Sequence, residues 1–130
     1  MNAPMSSQEW RCAVAVIVGV ILDAVFNWRF LPYSARTHQH EILPNFMLPI
    51  LALVAGLLLT LNLPENRRLI PLSLIGGFLA AHICLVVADC ASDPTNHNLW
   101  PFEFVFLAVM TSPAFLGAGI SGLIQRMRKS

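Results

Sequence analysis

Asp23 stands inside an apolar run that extends from Cys12 to Leu31, and Asn27 follows it one helical turn later. An ionisable side chain at such a position costs about 2.5–3.5 kcal/mol to insert into a bilayer, so it must face protein or water. His82 stands inside a second apolar run, Leu69 to Ala88. Counted from Cys12 and from Leu69, Asp23 is the twelfth residue and His82 the fourteenth. Two helices crossing in the same direction would therefore hold them within about one turn in depth. An Asp–His pair at mid-membrane can relay a proton, bind a cation or clamp two helices together. The intramembrane polar site is expected at Asp23, His82 and Asn27.

A second group of candidate ligands lies between the apolar runs. One segment reads His38-Gln39-His40-Glu41, and another contributes Asp89, Cys90, Asp93, His97 and Glu103. Imidazole and carboxylate are ligands for zinc or copper, so a divalent metal is the cofactor this group would take. No HExxH or CxxC spacing is present. Each residue also has an ordinary use: Asn98 as a helix N-cap, Glu103 at a positive helix end, Asp93-Pro94 in a turn. The expected outward-facing cluster is His38, His40, Glu41, Asp89, Asp93, His97 and Glu103.

The elements that must position these residues follow from composition. Of the 130 residues 56% are hydrophobic and only 12% charged, about half the charge that a soluble domain carries. The apolar residues gather in four runs, near 12–31, 44–63, 69–88 and 101–124. Each has about the 20 residues that a membrane-crossing helix needs. The fold expected is all-α, a single domain over 1–130 with four transmembrane helices in a compact antiparallel bundle. The rival for the first run is a cleaved signal peptide, but no cleavage site flanked by small residues follows Leu22.

Charge sets the direction. Arg11, Arg67, Arg68, Arg126, Arg128 and Lys129 make six of the eight basic residues and fall on one side of these runs; Arg29 and Arg36 fall on the other. Positive-inside reasoning puts both termini in the cytoplasm, and the short loops fit a bacterial inner membrane. Trp10, Trp28 and Trp100 fall near the expected interfaces, where aromatic belts form.

Without a hydrophobic drive between lipid-facing helices, small residues must let the backbones approach. Every run offers such a line: Ala15-Gly19-Asp23-Asn27, Ala52-Gly56-Thr60, Gly76-Ala80-Cys84-Ala88, and Ala114-Ala118-Gly122. Pro49 and Pro113 are expected to kink the second and fourth helices, freeing the carbonyls of Asn45 and Val109. Thr111 and Ser112 stand nearby to satisfy them. Cys12, Cys84 and Cys90 form no disulfide framework, and Cys84 is expected to be buried.

Several function classes are excluded. No glycine-rich phosphate loop is present, and the three basic residues in 125–130 suffice for anionic lipid headgroups, not for a nucleic-acid surface. No motif assigns an enzymatic reaction. The leading expectation is an accessory or scaffold subunit that docks on a larger membrane complex. The second is a proton- or cation-coupled transporter or channel-like homo-oligomer using Asp23 and His82. The third is a membrane enzyme or metal-handling protein built on the outward cluster.

Overall fold

In a computed structural model of the chain, residues 5–28, 43–63, 66–93 and 100–130 are described, and all regular structure among them is helical. Helix α1 (Ser7–Asp23) starts on a capping box. The Ser6 hydroxyl accepts from the Glu9 backbone N–H at 3.2 Å, and the Glu9 carboxylate accepts from the Ser6 N–H at 2.7 Å. This reciprocal pair satisfies two of the donors that every helix start leaves open. A single π-helical turn, Ala24–Trp28, continues α1.

Helix α2 (Met47–Thr60) is shorter than the expected run by several residues at its start. That shift places Pro49 in the first turn, where a proline displaces no helical hydrogen bond. The expected kink is therefore absent, and the Asn45 carbonyl accepts from the Leu48 N–H at 3.2 Å. The turn that follows uses left-handed backbone at Asn62 and Asn66, a conformation asparagine tolerates. Helix α3 (Leu69–Ser92) runs four residues beyond the expected end. The last run divides into α4 (Trp100–Thr111) and α5 (Pro113–Lys129). At that break the Ser112 hydroxyl donates to the Val109 carbonyl at 2.7 Å, the repair expected beside Pro113.

Two helix pairs make the bundle. Helix α1 packs chiefly on α3, and α2 chiefly on α5. Within each pair the helices run in the same direction, since Gly19 meets Leu74 and Phe78 while Asp23 meets His82 one turn on. Between pairs the direction reverses: Arg11, near the start of α1, donates to the carbonyls of Leu59 (3.0 Å) and Leu61 (2.5 Å) at the end of α2. The guanidinium so caps carbonyls that the helix end leaves without partners.

Glycines set both seams. A β-carbon on Gly19 would collide with the Leu74 backbone, and one on Gly77 with the Val16 backbone. Gly56 meets Ala114 in the same way, and Gly117 meets Leu53 and Leu57. Three of the expected small-residue lines are buried at these seams: Ala15 and Gly19, Ala52-Gly56-Thr60, and Ala114-Ala118-Gly122. The line in α3 is not. Gly76, Ala80, Cys84 and Ala88 all face outward, and the buried face of α3 is Leu74, Gly77, Phe78, His82 and Leu85. The one-residue phase difference between Gly76 and Gly77 decides the face, and Cys84 is exposed for the same reason.

An apolar core that includes Ile70, Leu74, Phe78 and Leu85 also holds polar side chains, and many large apolar ones face outward. Asp23, Thr60, His82, Asp89, Thr111 and Ser121 are buried, while Ile17, Ile50, Leu58, Ile83, Val105 and Leu116 are exposed. Leu69–Ser92 and Trp100–Lys129 are long and apolar enough to cross a membrane. The basic residues Arg11, Arg67 and Arg126 gather at one end, tied there by Arg11 to the end of α2 and by Arg67 to Gln125.

Gly77→Leu forces a branched side chain against backbone atoms that cannot yield. It should lower stability by about 3 kcal/mol or prevent folding, whereas Gly76→Leu on the outward face should change it by less than about 0.5 kcal/mol. Thermal unfolding of both variants in detergent, followed by circular dichroism, checks the contrast.

Candidate functional site: a buried carboxylate–imidazole–carboxylate chain

The contact between Gly19 and the α3 backbone brings the next turn of each helix together. There Asp23, fully buried, lies with Oδ1 3.0 Å from Nδ1 of His82. The other imidazole nitrogen, Nε2, lies 2.9 Å from Oε1 of Glu103 in the first turn of α4. Asn27 donates from Nδ2 to the same Asp23 oxygen at 2.6 Å. Asn27 reaches back from the π-helical turn, a rare one-turn insertion that concentrates at functional sites. Phe104 packs edge-on against the His82 ring, with centroids 5.2 Å apart, and Trp100 packs edge-on against Phe104. This aromatic stack holds the imidazole plane in line with both carboxylates.

Counting hydrogens constrains the charge. Each N···O contact of His82 needs one hydrogen, so the cluster holds at least two. Two carboxylates around an imidazolium meet that requirement. So does one carboxylate, one neutral imidazole and one protonated carboxyl. Both forms carry one net negative charge and differ only in which atom holds one proton. Because Asp23 Oδ1 already accepts from Asn27, it serves as acceptor toward Nδ1–H, which puts the mobile proton between Nε2 and Glu103. Oδ2 of Asp23 is buried without a hydrogen-bond partner among the described residues, as are Arg11 Nε, Ser121 Oγ and Gln125 Nε2.

A cavity of about 210 Å³ opens beside this chain. Its polar lining is Asn27, Asn45 and Glu103, set among Phe26, Leu48, Phe106, Leu107 and Met110. A polar cavity of that size holds several waters, each with partners to bond. Glu103, with 30% of its side chain exposed, is the link between that water and the buried imidazole. In the other direction the chain of polar groups stops, because Gly19 and Gly77 close the seam.

The structure unites Asp23, His82 and Asn27 as the sequence led one to expect. It adds Glu103, which the sequence places with the outward cluster. The reason is an offset between helix ends. His82 lies ten residues before the end of α3, about 15 Å along its axis, yet Glu103 is only three residues into α4. Helix ends assumed to be level put Glu103 at the surface. Asp89 is also buried, and the backbone N–H of Asp93 caps α3 by donating to the Asp89 carbonyl at 2.8 Å. His38, His40, Glu41 and His97 lie outside the described residues. Among the described residues no group of three His, Cys, Asp or Glu side chains is arranged to hold a metal ion.

No protein-family model matches the chain, and no curated protein or solved structure shows significant similarity to it.

The Asp23–His82 contact is open to a double-mutant cycle. Asp23→Asn and His82→Gln, singly and together, should reveal a coupling energy of about 1–2 kcal/mol in unfolding experiments in detergent. Additive effects would mean that the two side chains do not meet.

Proposed function

We propose that this is an integral membrane protein whose four helical segments cross the bilayer with both termini in the cytoplasm. Support comes from the many exposed large apolar side chains, from the ionisable groups buried inside and from the basic residues collected at one end. Helix α2, at 14 residues about 21 Å long, is short for a bilayer. Arg11 answers that shortfall by satisfying carbonyls at its end. A bacterial inner membrane is the location that this compact plan fits.

Within that bundle, Asp23, His82 and Glu103 take up a proton from the outer side, as the working part of a proton-coupled translocator. The observation that carries this reading is the continuous chain of contacts from Glu103, which lines the cavity, through both nitrogens of His82 to the buried Asp23. Starting from protonated Glu103 and neutral His82, a proton from cavity water binds the second Glu103 oxygen, the proton on Oε1 passes to Nε2 of His82, and the Nδ1 proton moves on to Oδ1 of Asp23. Each transfer makes one bond to hydrogen and breaks one, so the imidazole relays without a net gain. Access from a single side distinguishes this from a pore. Release toward the cytoplasm requires the α1–α3 seam to part.

A second reading, an accessory subunit docked on a larger membrane complex or on copies of itself, has its own observation. An apolar groove of about 490 Å³ between α1 and α3 is lined by Val20, Ala24, Trp28, Ala80, Ala81 and Cys84. It lies over the outward small-residue line of α3. Native mass spectrometry after gentle extraction from host membranes tests it. A stoichiometric larger partner supports docking, and a chain that emerges alone counts against it.

For the relay, the protein in liposomes loaded with a pH-sensitive dye should acidify the lumen when the Glu103 side is exposed to acid. Asp23→Asn should abolish this uptake, and Glu103→Gln, at the half-exposed entry, should slow it at least tenfold. Uptake unchanged in folded Asp23→Asn protein would remove the proposal.

A further inference from the structure

At the basic end, a groove of about 360 Å³ opens between the α2–α3 turn and α5. Arg67, Arg68 and Arg126 line it, and no acidic side chain does. Arg67 is fixed from two sides: its Nε donates to the Leu63 carbonyl at 2.9 Å, and its Nη2 donates to Oε1 of Gln125. Gly122 makes room for it, since a β-carbon there would strike the guanidinium at Nη1. A guanidinium held in this way has already lost the side-chain freedom that binding would otherwise take from it.

The rest of the groove is apolar and directional. Phe115, Gly119 and Leu123 follow one another at helical spacing on α5, leading away from the arginines. All three are exposed, and nothing lies within 4 Å of the position a Gly119 β-carbon would take. A free anion would use the arginines and leave this strip unused. A molecule with a phosphate at one end and a hydrocarbon chain at the other would use both.

We propose that this groove binds an anionic phospholipid, with its headgroup phosphate on Arg67, Arg68 and Arg126 and an acyl chain over Gly119 between Phe115 and Leu123. Arginine presents paired donors that match phosphate oxygens, and basic pockets on the cytoplasmic side of helical membrane proteins are suited to such headgroups. The inference rests on the membrane reading above, because only a bilayer presents headgroup and chain together in this orientation.

The full chain in nanodiscs of phosphatidylcholine containing a minority of phosphatidylglycerol provides the test, with native mass spectrometry counting the lipids retained on ejection. The wild type should keep a single phosphatidylglycerol. The double variant Arg68→Gln/Arg126→Gln, which spares Arg67 and its bonds, should retain about thirtyfold less. Gly119→Leu, which alters no charge, should lose the lipid by filling its floor. Equal retention by all three proteins would overturn the proposal while leaving the membrane reading intact. Displacement of the lipid by millimolar inorganic phosphate, with Gly119→Leu unaffected, would also overturn it in favour of a free-anion site. A chain that does not enter nanodiscs at all would overturn both readings.

Discussion

Where α1 meets α3, two glycines bring backbone against backbone, and the polar site exists only because they do. Gly19 touches α3 at Leu74 and Phe78. One turn further along, the same two strips of helix carry Asp23 and His82. Here the Asp23–His82 distance is 3.0 Å. The α2–α5 seam repeats the arrangement with Gly56 and Gly117, and it fixes the wall from which α4 extends to present Glu103.

Buried hydroxyls in this interior find their partners locally. Thr60 and Thr111 bond to carbonyls in the preceding turn of their own helices, Thr60 to Gly56 at 2.6 Å and Thr111 to Leu107 at 2.9 Å. Arg11 and Ser112 donate to carbonyl groups at helix ends and breaks. Four buried side-chain atoms among the described residues stand apart from that local repair: Asp23 Oδ2, Arg11 Nε, Ser121 Oγ and Gln125 Nε2.

Much of this was legible in the sequence. The helical class followed from the length of the apolar runs, and depth counting put Asp23 and His82 within about one turn of each other without deciding whether they touch. Three of four small-residue lines chose the right face. The α3 line failed because Gly76 and Gly77 are adjacent, and spacing at i, i+4 was followed from the wrong one. The phase of Leu74, Phe78, His82 and Leu85 selects Gly77, so the signal was available through the histidine. The capping box at Ser6 and Glu9 was also there to read. The partnership of Glu103 with His82 was not, because it depends on how far α3 overshoots the start of α4. That offset is fixed by tertiary packing and leaves no mark on periodicity.

The division at Ser112 has a mechanical meaning. Thr111 and Pro113 end one helix and begin the next. Across the joint the Ser112 N–H donates to the Ala108 and Val109 carbonyls, the Ser112 hydroxyl donates to Val109, and the Phe115 N–H donates to the Ser112 carbonyl. The proline thus changes the pattern of bonds without cutting the two segments apart. In the last quarter of the chain Gly117 anchors α5 against α2, and the same joint sets where α4 presents Glu103 to His82.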